Sequence, residues 1–236
     1  LSHQRREFLR LLALAALGTV LQPLHAQQRT VMGKQSVILF SFGMETSGIG
    51  WDWGATAHHP GVNLLHDLSI ATVRNIAQQV QRIKRAGDIV IASIHWGGNW
   101  GYAIPDDQQQ FAHALIDDAS VDLIHGHSSH HIKGIEVYKN HLILYGCGDL
   151  LNDYEGIGGY EEYRDELGLM YFPTLNPVDG KLLRLEMTPT RRRKMRINRA
   201  SHEEAQWLAD VLNRESKTVG ANVTLDENNR LVLTDI

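Results

Sequence analysis

Asp88-Ile89-Val90-Ile91-Ala92-Ser93-Ile94-His95-Trp96-Gly97-Gly98 is an apolar run that ends on a histidine and a glycine-rich loop. A short continuous apolar run predicts a strand buried on both faces, the kind found inside parallel sheets. It carries His95 to its carboxyl end, where the glycines leave the approach to the imidazole open. Further along, Val121-Asp122-Leu123-Ile124-His125 repeats the pattern and runs into Gly126-His127-Ser128-Ser129-His130-His131. In open α/β sheets the chemistry collects beyond the carboxyl ends of strands. Two successive strands that end in histidine-bearing loops are therefore the main clue to both fold and function.

Working outward, residues 37–42 form another apolar run, ending at Gly43. A long loop rich in Gly, Trp and His follows, up to residue 63. Ser69 is a candidate N-cap, after which Val73, Ile76, Ala77, Val80 and Ile83 recur at helical spacing up to Gly87. A second helix is expected over about residues 107–118. Strand–helix–strand–helix–strand predicts an α/β sheet with parallel crossovers. A more antiparallel second half follows: segments 135–138 and 141–145 flank the tight turn Lys139-Asn140, and segments 169–175 and 182–187 are joined by a turn at 176–180. Ser201 with Glu204 three residues on is a capping box. The helix it opens and a hairpin around Asn228-Asn229 are expected to pack on the main domain as a small accessory unit, residues 199–236.

The chain has 236 residues, 43% hydrophobic and 21% charged, the usage of a globular protein with a core of useful size. A net charge of -4 gives no bulk attraction to nucleic acid. The basic run Arg191-Arg192-Arg193-Lys194 reads first as a solvated strand edge, with an anionic-polymer contact as the alternative. The single cysteine, Cys147, excludes an intrachain disulfide and reads as a small buried hydrophobe. At the amino end, Arg5-Arg6-Glu7-Phe8-Leu9-Arg10 precedes an uncharged apolar stretch and Leu24-His25-Ala26. That layout predicts a cleavable, twin-arginine-type export signal over residues 1–26, and so a periplasmic or extracellular protein. The apolar stretch is shorter than the ~20 residues a spanning helix needs, and no other segment qualifies as transmembrane.

Thirteen histidines is a high count for this length, and four of them crowd into residues 125–131. Buried imidazoles each need a polar partner, so such a cluster suits a divalent transition metal ion, with a solvated His-rich loop as the alternative. His95 is the partner candidate from the earlier strand; the bland reading is a histidine bonded to its own loop. Asp149 and Asn152, after the run that ends at Tyr145, are candidates to ligate a metal or orient a histidine. Glu136, Glu45 and the His58-His59 pair are weaker candidates.

Ser93-Ile94-His95-Trp96-Gly97 resembles the Ser-x-His-Trp-Gly signature of the CapA family of poly-γ-glutamate capsule biosynthesis proteins. Gly126-His127 through His130, Gly134-Ile135-Glu136-Val137-Tyr138 and Leu142-Ile143-Leu144-Tyr145 are similar to that family's later motifs, in order and spacing, over about residues 37–190. Gly148-Asp149-Leu150 stands where the family shows Gly-Asn-Phe, and Ser128-Ser129 stand where it shows His-Pro. The resemblance implies a metallophosphatase-like mixed sheet with helices, an α/β fold with an α+β sandwich character, over residues 31–198. It implies a metal-dependent hydrolase with His95, His127, His130 and Asp149 as metal ligands and His125 or His131 as general acid or base. The partners it implies are an anionic polymer such as poly-γ-glutamate, or a synthase subunit. The family's early Gly-Asp and Asn-His-x-x-Asp motifs have no counterpart here, so only the C-terminal half of its domain is matched. Two expectations follow: this is part of a longer enzyme, or a partner chain completes the site. The rival reading is a non-catalytic envelope module that holds the polymer or the synthase; a lone intracellular phosphoesterase is a third.

Overall fold

The apolar run that ends at His95 is a central strand of a seven-stranded mixed sheet. A computed structural model describes residues 27–32, 35–152 and 157–234; the stretch read as an export signal lies outside them. β1 (Gln27–Met32) pairs antiparallel with β2 (Gln35–Met44), and the two-residue β3 (Leu64–Leu65) joins the carboxyl end of β2. α1 (Ile70–Ile83) leads to β4 (Ile89–His95), and α2 (Asp106–Ala119) leads to β5 (Leu123–His127). The hairpin β6 (Ile135–Tyr138) and β7 (His141–Leu144) completes the sheet, in the order β1-β2-β4-β5-β7-β6. β2, β4, β5 and β7 are parallel neighbours, as their unbroken apolar runs require.

Local chemistry fixes the element ends. The Ser69 side chain accepts from the Thr72 amide and caps α1, whose Val73, Ile76, Ala77 and Val80 face the sheet. Lys139 and Asn140 both take positive φ, 51° and 67°, which closes the β6–β7 turn with the twist that a tight hairpin prefers.

The second sheet is antiparallel and centres on β9 (Leu182–Arg192), which pairs with β8 (Leu167–Leu175), β10 (Ile197–Arg199) and β12 (Leu231–Leu233). β11 (Val223–Leu225) extends it from β12, and α3 (His202–Glu215) packs alongside. Ser201 and Glu204 form the capping box read from the sequence. The first sheet is the middle layer. On one face Ile38, Phe40, Ile94 and Ile124 meet Val73, Ile76, Phe111 and Leu115 of α1 and α2. On the other, Leu123, Leu142 and Leu144 meet Leu185, Met187, Leu208, Leu212 and Leu231. The final segment is thus woven into the second sheet and its core. β1, β3 and β10 are the strands that the sequence reading does not contain. β9 runs five residues beyond the apolar pattern, into the basic run. No helix among the described residues is long and apolar enough to cross a membrane.

Candidate functional site

The register of two neighbouring strands builds the site. Across the parallel β4–β5 pair, Ser93 stands opposite His125 and His95 stands opposite His127. Residues two apart on a strand share a face, so one hydroxyl and three imidazoles project together from the carboxyl ends of adjacent strands. The contacts form a chain: His95 Nδ1 lies 2.9 Å from His127 Nδ1, His127 Nε2 lies 3.1 Å from Ser93 Oγ, and Ser93 Oγ lies 3.0 Å from His125 Nδ1. Between the two β5 histidines sits Gly126. A Cβ there would stand 2.6 Å from the carbonyl oxygens of Leu144 and Tyr145 and from Trp96 Nε1, so only glycine lets the backbones approach. Trp96, buried, donates its indole N–H to the Tyr145 carbonyl and anchors the loop after His95.

Burial keeps these imidazoles neutral. It pulls His127 down to about 3, helped by the neighbouring His125 and His95, and it pulls His125 down to about 4. His95 is also lowered, by burial first and then by His130. A neutral imidazole has one N–H and one bare nitrogen, and a hydroxyl has one proton. The chain can therefore run in one of two directions, His125 to Ser93 to His127 to His95, or the reverse. If Ser93 accepts from His127 Nε2–H and His95 carries its proton on Nε2, the two facing Nδ1 atoms are both bare. Two bare nitrogens at one point fit a divalent transition ion, with Ser93 holding the ring from behind. Among the described residues, no group of three or more His, Cys, Asp or Glu side chains is arranged to hold a metal ion. What meets at one point is thus a pair of imidazoles.

Of the other expected ligands, His130 and Asp149 meet each other, Nδ1 to Oδ2 at 3.0 Å, and His130 lies within electrostatic reach of His95. Asn152 Nδ2 donates to the same Asp149 oxygen, while Asn152 Oδ1 is buried with no hydrogen-bond partner. His131 is placed apart from the chain. It is 1% exposed, its Nδ1–H donates to the Ile132 carbonyl at 2.8 Å, and its ring lies among Trp100, Tyr102 and Tyr163. Its Nε2 has no partner, and burial pulls the imidazole down to about 4.

Ser128, which stands where the resembled family shows a histidine, takes φ 132° and donates to the Gly97 carbonyl at 2.9 Å. It ties the two histidine loops together at some cost in backbone strain. The long first loop reaches the same place: Ser47 Oγ donates to the His95 carbonyl and the Gly97 amide donates to Thr46 Oγ1. Glu45, His58 and His59 in that loop are exposed. Glu136 is a core residue, accepting from Tyr145 Oη at 2.5 Å and paired with His113 Nε2 at 2.7 Å. Cys147 is buried, and burial raises its thiol far above the ordinary range, as expected of an inert hydrophobe.

Two residues were missed. Ser93 enters the sequence reading only within the strand run and the signature, with no role of its own, although strand alternation alone puts it on the face of His95. Arg192 was read into a solvated edge, yet it is buried, and its Nη1 donates to the Asp149 carbonyl at 2.5 Å.

Comparison with known proteins gives this geometry its setting. A family model described as Bacterial capsule synthesis protein PGA_cap matches residues 7–154, starting inside the stretch read as an export signal. A probable polyglutamine synthesis accessory protein of Mycobacterium tuberculosis is 45% identical over 203 residues, 86% of this chain and 53% of its own length. The PGA biosynthesis protein CapA of Bacillus subtilis is 33% identical over 110 residues, 47% of this chain and 27% of its own. The capsule biosynthesis protein CapA of Bacillus anthracis is 29% identical over 100 residues, 42% and 23% of the two lengths. The chain spans about half the length of the M. tuberculosis relative and less of the others. With the family model covering well over half of its residues, including both histidine strands, this chain belongs to the PGA_cap family of bacterial capsule synthesis proteins.

Proposed function

We propose that this chain is the histidine-bearing part of an accessory protein for the synthesis of a glutamate polymer or capsule, acting as a metal-dependent hydrolase. The observation that carries the reading is the meeting of His95 and His127, from adjacent strands, at 2.9 Å between nitrogens that burial keeps free of extra protons. The names of the relatives support the process, and the strand-end geometry supports the chemistry. His95 and His127 hold the ion, with Ser93 fixing the second ring. His130 and Asp149, now bonded to each other, are the nearest further donors. When bound, a divalent ion lowers the pKa of water and polarises the bond to be cleaved.

The chain's own residues do the rest. Ser93 passes hydrogen-bond direction between His127 and His125, so His125 is the group placed to hold or release a proton behind the site. Trp100 stacks on Tyr160 and lies against His130, shielding that side from water.

Metal content decides the reading. Purified chain titrated with Zn2+ and Mn2+ should bind one of them stoichiometrically. His127→Ala should lose affinity by about a hundredfold, in the range seen when a ligand or its support is removed. A screen against phosphoesters and γ-linked glutamate oligomers then asks for hydrolysis that a chelator abolishes. No stoichiometric metal in the wild-type chain would leave the rival, a non-catalytic module that holds the polymer or the synthase.

A further inference from the structure

We propose that Arg192 is the binding residue of an oxyanion subsite next to the histidine cluster. Strand alternation on β9 turns Thr190 and Arg192 inward, and Arg192 is 6% exposed. Only one corner of its guanidinium is used. Nη1 donates to the Asp149 carbonyl, while Nη2 lies 3.9 Å from Asp149 Oδ2, beyond hydrogen-bond reach. Nε and Nη2 are buried and have no hydrogen-bond partner. These two atoms are the side-on fork of the guanidinium, the pair whose parallel N–H bonds match the two oxygens of a carboxylate or phosphate. An arginine cannot give up its proton; the Asp149 carboxylate at 3.9 Å partly offsets the charge, but the two fork atoms keep hydrogen-bonding capacity that the fold does not use, which is costly when buried.

Its surroundings point to a ligand. Arg192 forms part of the wall of a cavity of about 360 Å³, together with Arg191, Arg193, Ile157, Glu161, Asp165 and Glu166. Three of the other charges there have work within the chain: Arg191 pairs with Glu204, Glu166 with Arg164, and Asp165 accepts from the Ile157 amide. The fork atoms are closed off from solvent, so an oxyanion would reach them only if the side chains lining the cavity move aside. The three carboxylates on that wall make a run of negative charges unwelcome. The fit is therefore to one oxyanion group, a single carboxylate or phosphate. Asp149 links this place to the cluster, since its carbonyl takes Arg192 and its carboxylate takes His130. Only the link to hydrolysis rests on the proposed function; binding of the oxyanion needs no metal.

The test uses the whole chain in chelator, titrated calorimetrically with inorganic phosphate and separately with a γ-linked glutamate trimer. Wild type should bind at least one probe saturably, and which one tells phosphate from carboxylate. Arg192→Lys keeps the charge and loses the fork, and should weaken binding by about tenfold or more. An exposed arginine away from the cavity, on α1, serves as control: Arg82→Ala should change it by less than about twofold. The Arg192 Nε resonance of the wild type should move on titration, which keeps the test open if the lysine variant does not fold. Failure of both probes to bind, an unmoved resonance, or wild-type affinity in a folded Arg192→Lys protein would overturn the proposal. Probe binding without metal binding would sink the hydrolase reading and leave Arg192 standing; the opposite result would do the reverse.

Discussion

Ser93 is a small residue with a large share in the site, because its hydroxyl bridges the two β5 histidines. Replacing it with alanine leaves His125 Nδ1 and His127 Nε2 without that partner. The expected cost is ~1–3 kcal/mol, read by urea denaturation, with weaker metal binding alongside. An unchanged midpoint would mean that water replaces the hydroxyl without loss. Acid sensitivity belongs to the same scale. His125 and His131 titrate at about 4 in the folded chain against about 6.5 when unfolded. Above the unfolded value neither state carries the extra proton and the stability is full. As pH falls from about 6.5 towards 4, the unfolded chain takes up protons that the native state refuses, so stability drops. Melting temperatures between pH 7 and pH 4.5 should show this, and His131→Gln, which keeps a side-chain donor but cannot titrate, should flatten the slope. A wild-type melting temperature that holds level across the range would show that these rings are not held neutral by the fold.

At the scale of elements, α3 separates two sources of stability. Its capping box is local, and Ser201→Ala should cost ~1 kcal/mol. Leu212 lies in the core shared with β9 and β12, so Leu212→Ala should cost ~2–5 kcal/mol. Comparable losses from both would mean that α3 is loosely packed. Elements whose signal is local were legible in the sequence: the caps at Ser69 and Ser201, the Lys139-Asn140 turn, and the apolar runs of β2, β4 and β5. β1, β3 and β10 were not, because their residues become strands only through pairing with β2 and β9. The same holds within the site. That His95 and His127 sit at strand ends could be read directly, but their meeting depends on the β4–β5 register. Likewise, the burial of Arg192 depends on β9 running past its apolar pattern.

At the scale of the molecule, the first sheet is covered by helices on one side and by the second sheet on the other, and α3, β11 and β12 belong to that second cover. A chain stopped after residue 199 would uncover Leu142, Leu144, Leu185 and Met187 together. It should be recovered as aggregate, or expose enough apolar surface to bind a hydrophobic dye, where the full chain does not. A soluble monomer with a sharp melt would show that the tail is dispensable. The site's dependence on strand pairing has a last consequence, for how this protein tolerates insertion and deletion. Since the four polar side chains share a face only while β4 and β5 keep step, adding or removing one residue just ahead of His125 would turn both β5 imidazoles towards the helices and bring Gly126 into their place. Such a lesion would erase the cluster in one stroke, while many substitutions in the same strand would merely weaken it.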